Sequence, residues 1–167
     1  MATAESLTGG NVAAALAAVP GASEAYLGGV VAYATDVKIS VLGVASSLVE
    51  RHGVVSAVCA EAMAQGVRDL TGATYGVATT GVAGPSEQEG KAVGTVFVGL
   101  CGPTSIASVA LELGGDRAGI VEQTVREALV AMSGAAPQAP LRLTARAAGP
   151  LKKRAGRTEF LRGVATR

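Results

Sequence analysis

Tryptophan is absent from this 167-residue chain, and three tyrosines with two phenylalanines make up all its aromatics. Val, Leu, Ile and Ala must therefore fill any core. The body offers no aromatic platform on which nucleic-acid bases could stack. Cysteine is almost absent too: Cys59 and Cys101 form no CxxC pair, and His52 is the one histidine. A structural zinc site takes about four Cys or His ligands, so no metal is expected. The sparse cysteines fit a reducing compartment, and a cytoplasmic location is expected. The opening residues Met1-Ala2-Thr3-Ala4-Glu5 carry no basic stretch and lead into no long apolar one, unlike a signal peptide. A membrane span would need about 18 or more apolar residues in a row, and no such run exists, so no membrane partner is expected.

What is present is apolar and glycine-rich. Hydrophobic residues make up 49% of the chain, and its 23 glycines fall mostly between apolar runs, a mark of many tight loops. The length fits one domain with some extra. Net charge near zero hides an asymmetry. Residues 1–133 hold 6 Lys/Arg against 12 Asp/Glu, whereas residues 134–167 hold 8 Lys/Arg against the single acid Glu159. A domain over 1–133 and a basic, disordered or loosely attached tail over 134–167 are expected, because the tail is dominated by Ala, Pro, Gly and basic residues without period.

Periodicity places the elements. A helix is predicted over 9–19, ending before Pro20-Gly21. A strand follows over 26–33, in which the pair Gly28-Gly29 signals close approach of another backbone or a bulge. A short helix over 36–42 ends at Gly43. Ser47-Leu48-Val49-Glu50 has the capping-box pattern of another short helix, closed by Gly53. Ser56 caps a longer helix through Thr71, with Val58, Ala62, Met63, Val67 and Leu70 on one stripe. Residues 74–80 read as a strand and 81–92 as a loop. Residues 93–101 and 105–113 read as a hairpin around Gly102-Pro103. The last helix runs over 116–133 with Val121, Val125, Leu129 and Met132 on one face. Interleaved strands and helices plus a hairpin predict an α/β fold with a mixed sheet.

Four segments could carry chemistry. Glu5-Ser6-Leu7-Thr8-Gly9-Gly10 puts two hydroxyls and two glycines at a helix start, where backbone N–H groups can hold an anion or oxyanion; the same pattern also serves as an ordinary helix cap. Tyr33-Ala34-Thr35-Asp36-Val37-Lys38 ends an apolar strand. Lys38 and Lys91 are the two lysines within residues 1–133. A lysine desolvated against a sheet can act as base for a serine, with Tyr33 relaying a proton or orienting the nucleophile, although a surface lysine fits the pattern as well. Thr80-Gly81-Val82-Ala83-Gly84-Pro85 is a glycine-rich loop after a strand. It matches neither a Walker A nor a GxGxxG sequence, and lies where open α/β sheets bind ligands. Arg117, after Gly114-Gly115-Asp116, could grip a phosphate or lie free beside a helix cap. His52, near a helix end, reads as structural.

In their order these pieces resemble the CinA C-terminal domain family, the competence/damage-inducible proteins. Ala4-Glu5-Ser6-Leu7-Thr8-Gly9-Gly10 is similar to the family's A-E-S-C-T-G-G, and Gly28-Gly29-Val30-Val31-Ala32-Tyr33 to its G-G-V-V-A-Y. His52-Gly53-Val54-Val55-Ser56, Thr80 to Pro85, Val93-Gly94-Thr95-Val96 and Gly115-Asp116-Arg117 also match. The resemblance spans about residues 2–133. It implies a three-layer α/β/α sandwich and a nicotinamide-nucleotide amidase, which converts nicotinamide mononucleotide to nicotinate mononucleotide and ammonia in pyridine-nucleotide salvage, with no cofactor. It further implies Ser6 as nucleophile, Lys38 as base and Tyr33 as helper. Thr8, Gly9 and Gly10 are then expected at the oxyanion, with Thr35, Thr80, Gly81, Gly84 and Arg117 around the substrate. The family's Y-S-N-E-x-K is here Tyr33-Ala34-Thr35-Asp36-Val37-Lys38, so Thr35 stands at the Asn position.

Family members also carry a helix and most of a strand before A-E-S, and here only Met1 to Ala4 precede it. A shortened first strand and an uncovered apolar sheet face are therefore expected, which would favour homo-oligomers. The alternative to the amidase is a catalytically silent ligand-binding or protein-interaction module linked to competence or DNA damage. A nucleic-acid partner finds support in the basic tail alone.

Overall fold

A computed structural model of the chain describes residues 1–134; the basic tail expected over 134–167 lies almost wholly outside the described residues. Five strands, β1 (Ala2–Glu5), β2 (Gly28–Val31), β3 (Gly76–Gly81), β4 (Thr95–Cys101) and β5 (Ile106–Glu112), form one sheet in the order β2-β1-β3-β4-β5. β1 runs parallel to β2 and β3, while β3–β4 and β4–β5 are antiparallel. The sheet is mixed, as the apolar runs and the hairpin pattern predict.

β1 has four residues, all buried, at a position flanked by strands on both sides. Its brevity is offset by its neighbours: Ala2 N–H donates to Tyr75 O, Ser6 N–H to Thr79 O and Ala32 N–H to Glu5 O, each at 2.8–2.9 Å. The paired glycines of β2 have the predicted role. A Cβ on Gly29 would lie 2.2 Å from Thr3 Oγ1 and 2.7 Å from Thr3 O, so only glycine lets β2 sit against β1 there.

Helices cover both faces. On one, α4 (Ala57–Thr71) buries Cys59, Met63, Ala64 and Val67 against Ala2, Ala4 and Ala78, with α2 (Thr35–Ser40) and α3 (Ser46–His52) beside it. The Ser56 cap predicted for α4 is realised, Ser56 Oγ accepting from Cys59 N–H at 3.2 Å. The stripe, however, is rotated: Met63 and Val67 are buried with Cys59, Ala60 and Ala64, whereas Leu70 is 55% exposed, because the sheet meets the face centred on the small residues. Truncating fully buried Met63 to alanine would cost about 2–5 kcal/mol. On the other face, α1 (Asn11–Ala17) and α5 (Arg117–Met132) bury Val12, Ile120 and Ala128 against Val77, Val96 and Val98. Adjacent residues of β3 go to opposite layers, Val77 to the α1/α5 side and Ala78 to the α4 side, as a strand's two-residue period requires. Part of the α5 stripe remains open. Val121, Val125 and Leu129 line a groove of about 1110 Å³ along that helix.

Two local readings need correction. The capping box at Ser47 does not form: α3 begins at Ser46 after Ala45, with no side-chain cap. The first helix begins at Asn11 rather than Gly9, because residues 6–10 form a turn in which Gly9 and Gly10 have φ of +58° and +102°.

Candidate active site

β1, β2 and β3 point their carboxyl ends to one edge of the sheet, and β5, antiparallel to β4, ends there too. Ligand sites of open α/β sheets form at such an edge. Ser6 follows β1, Ala32 and Tyr33 follow β2, Thr80 and Gly81 close β3, and Arg117 opens the helix after β5. Sequence-distant segments thus meet around a cavity of about 120 Å³, which Ser6, Lys38, Thr35, Thr80, Gly84 and Arg117 help to line.

Lys38 lines this cavity and is 1% exposed. Its Nζ is 3.1 Å from Ser6 Oγ, 2.7 Å from Ala32 O and 3.2 Å from Tyr33 O. Among the described residues, ion pairing is confined to Arg68 and Asp69, so no carboxylate sits against the lysine. Burying an unpaired ammonium is expensive. Burial accordingly holds Lys38 below its ordinary 10.5, with Cys59 and then Glu89 opposing that shift. Protonated, its three N–H groups match the three oxygens of Ser6, Ala32 and Tyr33; unprotonated, it keeps two N–H groups for the carbonyls and offers a lone pair toward the Ser6 hydroxyl. Burial also pushes the Cys59 thiol up to about 11.

The turn carrying Ser6 is braced by a residue that the sequence reading left without a role. Glu5 is 1% exposed. Its Oε2 accepts from Gly10 and Val12 N–H at 3.0 Å each, and its Oε1 from Ala13 N–H at 2.7 Å. A carboxylate on three amides of a helix start satisfies donors that otherwise have no partner and complements the helix dipole. An acidic residue a few positions before a helix start was the available signal. Gly9 N–H donates to Ser6 O. The Gly9 and Gly10 amides are thus engaged, while the Leu7 and Thr8 amides hold no hydrogen bond among the described residues. Thr8 Oγ1 pairs with Thr79 Oγ1 at 2.7 Å, tying the turn to β3.

The remaining expected residues divide between dyad and rim. Tyr33 offers its carbonyl to Lys38, but its side chain is 57% exposed and its Oη accepts from Arg117 Nη2 at 2.5 Å. Arg117 Nη1 also donates to Gly84 O at 2.8 Å. Arg117 therefore bridges the rim of the cavity from Tyr33 to the Gly84 loop. Thr35 is the first residue of α2 and lines the cavity, as Gly81 does. Thr80 Oγ1 donates to Val54 O at 2.7 Å, which holds the segment before α4 against β3. No described helix is long and apolar enough to cross a membrane.

The chain was compared with known proteins. The profile of the CinA C-terminal domain matches residues 1–135. A CinA-like protein of Frankia casuarinae is 54% identical over 129 residues, 77% of this chain and 30% of its own length. A CinA-like protein of Synechocystis is 48% identical over 120 residues, 71% of this chain and 29% of its own. The chain therefore spans about 30% of the length of these relatives. Among solved structures, the competence damage-inducible protein A of Klebsiella pneumoniae superposes with a TM-score of 0.77 at 36% identity, over 80% of this chain and 83% of that one. The competence/damage inducible protein CihA of Agrobacterium tumefaciens gives 0.76 at 34%, over 80% and 82%. The mixed sheet clad on both faces, and the segments that meet at its carboxyl edge, are those of a protein that belongs to the CinA C-terminal domain family.

Proposed function

We propose that this protein is an amidohydrolase that deamidates nicotinamide mononucleotide through Ser6, with Lys38 as its base. The carrying observation is the 3.1 Å contact between Ser6 Oγ and a buried lysine that has no carboxylate partner among the described residues. A serine needs an adjacent base to become a nucleophile, and a desolvated amine supplies one.

The reaction then runs in two halves. Lys38 Nζ takes the Ser6 hydroxyl proton as Oγ bonds to the carboxamide carbon. The Leu7 N–H, next in the chain after the nucleophile, and the Thr8 N–H are the free donors for the oxyanion. The ammonium of Lys38 returns its proton to the amide nitrogen, the C–N bond breaks and ammonia leaves an acyl ester on Ser6. Lys38 next takes a proton from water as the hydroxide oxygen bonds to the ester carbon. Return of that proton to Oγ frees nicotinate mononucleotide and restores the serine. A cavity of about 120 Å³ holds about the volume share of four waters. That suits a ring amide more than a whole nucleotide, so the ribose phosphate lies toward Arg117 at the rim. Binding the phosphate there supplies energy remote from the reacting amide.

The test is ammonia release by purified protein from nicotinamide mononucleotide, with free nicotinamide as control. Release from the nucleotide that stops in Ser6→Ala is expected. No release from the nucleotide by folded wild-type protein would leave the silent ligand-binding module as the reading.

A further inference from the structure

Glu89 lies in the loop between β3 and β4, far from Lys38 in sequence, and nothing in its local pattern marks it. Its carboxylate accepts two consecutive amides, Val54 N–H on Oε1 at 3.1 Å and Val55 N–H on Oε2 at 3.0 Å. The fit is close: a Cβ on Gly53 would lie 2.4 Å from Glu89 Oε2. Glu89 itself has φ +53°, a conformation uncommon for a residue with a side chain. Val54 and Val55 are buried and line the cavity beside Ser6 and Lys38, and Val54 O accepts from Thr80. That wall is therefore held from two sides, by a hydroxyl at the end of β3 and by a carboxylate of the loop.

We propose that Glu89 is a positioning residue of this site, whose carboxylate clamps the Val54–Val55 wall and so holds its negative charge behind the wall of the cavity that Ser6 and Lys38 line. Against the effect of burial, Cys59 from α4 and then Glu89 from the loop favour the protonated Lys38. Cys59 is a neutral thiol below about pH 11, so Glu89 supplies the negative charge there. An opposite charge favours the protonated amine, which stabilises the proton-transfer state without pairing Lys38 outright in the resting site.

The inference rests on Lys38 activating Ser6, not on the identity of the substrate. It can therefore be tested apart from deamidation, by the rate at which a fluorophosphonate labels Ser6 as a function of pH. In wild-type protein the labelling rate rises with pH as Lys38 loses its proton. In Glu89→Gln the midpoint of that rise is expected at lower pH, because the opposing charge is gone. Its high-pH plateau should fall roughly tenfold to a hundredfold as the wall loosens. Glu89→Asp keeps the charge on a shorter arm, so it should keep the wild-type midpoint while losing plateau rate. A wild-type midpoint in folded Glu89→Gln, or an unchanged plateau in both variants, would overturn the proposal. Failure of wild-type protein to release ammonia from nicotinamide mononucleotide, with Ser6 still labelled, would instead remove the substrate assignment and leave Glu89 standing.

Discussion

Replacing Glu5 probes how the turn that carries Ser6 is held. Its carboxylate accepts three backbone N–H groups at 2.7–3.0 Å from a site 1% exposed. A hydrogen bond to a charged group contributes about 1.5–3 kcal/mol net, and an amide left buried without a partner costs about 1–3 kcal/mol. Glu5→Gln keeps one oxygen acceptor but turns an NH2 toward amides that themselves donate. Neighbouring bonds do not add fully, so a loss of roughly 2–4 kcal/mol is expected. Glu5→Ala removes every acceptor and should lose roughly 3–6 kcal/mol, near the limit of a domain stable by about 5–15 kcal/mol. Urea unfolding followed by circular dichroism measures this as a lower midpoint at an unchanged slope. With a slope of about 1–3 kcal/mol per molar, the Gln variant should lose roughly 0.7–4 M in midpoint. Because Ser6 is the next residue, the same variant should also lose turnover. A Glu5→Gln protein within about 0.5 kcal/mol of wild type, the range of an inconsequential surface substitution, would refute the reasoning. It would mean that water or a shifted α1 satisfies those amides as well as the carboxylate does.

Further expectations follow from other contacts. Lys38→Met should abolish deamidation, and its effect on stability should depend on pH. Since Lys38 is held below its ordinary 10.5 by burial, the unfolded chain binds more protons than the native one between those two values. Wild-type stability therefore rises with pH through that window, and the melting temperature of Lys38→Met relative to wild type should fall as pH approaches 10.5. A difference independent of pH from neutrality to that point would contradict a native lysine with a lowered pKa. In wild type, kcat/KM should rise with pH over the same limb, as the proposed base would act unprotonated. Thr8→Val leaves the buried Thr79 hydroxyl without its 2.7 Å partner and should cost about 1–3 kcal/mol in urea titration; no change would show that Thr79 finds another partner. Arg117→Ala should raise KM for the nucleotide roughly tenfold or more, as loss of a charged phosphate contact does, with a smaller change in kcat. An unaltered KM would place the phosphate elsewhere.

Much of the fold is legible in the sequence because its signals are local. Helix α4 and its Ser56 cap belong to one continuous segment, and Gly102-Pro103 stands between two apolar runs that pair as β4 and β5. Gly29 announces a close backbone because a strand seldom uses glycine without such a reason. Ser6 and Lys38 stand out as candidates by residue type and position, although they are far apart along the chain. What stays hidden depends on where side chains point. The Glu5 carboxylate turns from a buried strand to cap the helix that begins at Asn11, and Glu89 reaches back 35 residues to the Val54 amide. The Tyr33 side chain extends to Arg117, 84 residues on, while its carbonyl serves the lysine. Ser47 misleads because a capping-box pattern one residue inside a helix has the right spacing but the wrong start.

The central claim is that Ser6, activated by Lys38, takes the acyl group of the amide. Intact-mass spectrometry of protein quenched during turnover of nicotinamide mononucleotide, followed by peptide mapping, tests it most directly. The expected result is an adduct on Ser6 equal to the nucleotide less ammonia, absent from Ser6→Ala and from Lys38→Met. Full deamidation by Ser6→Ala, or an acyl adduct mapped to any other residue, would contradict it.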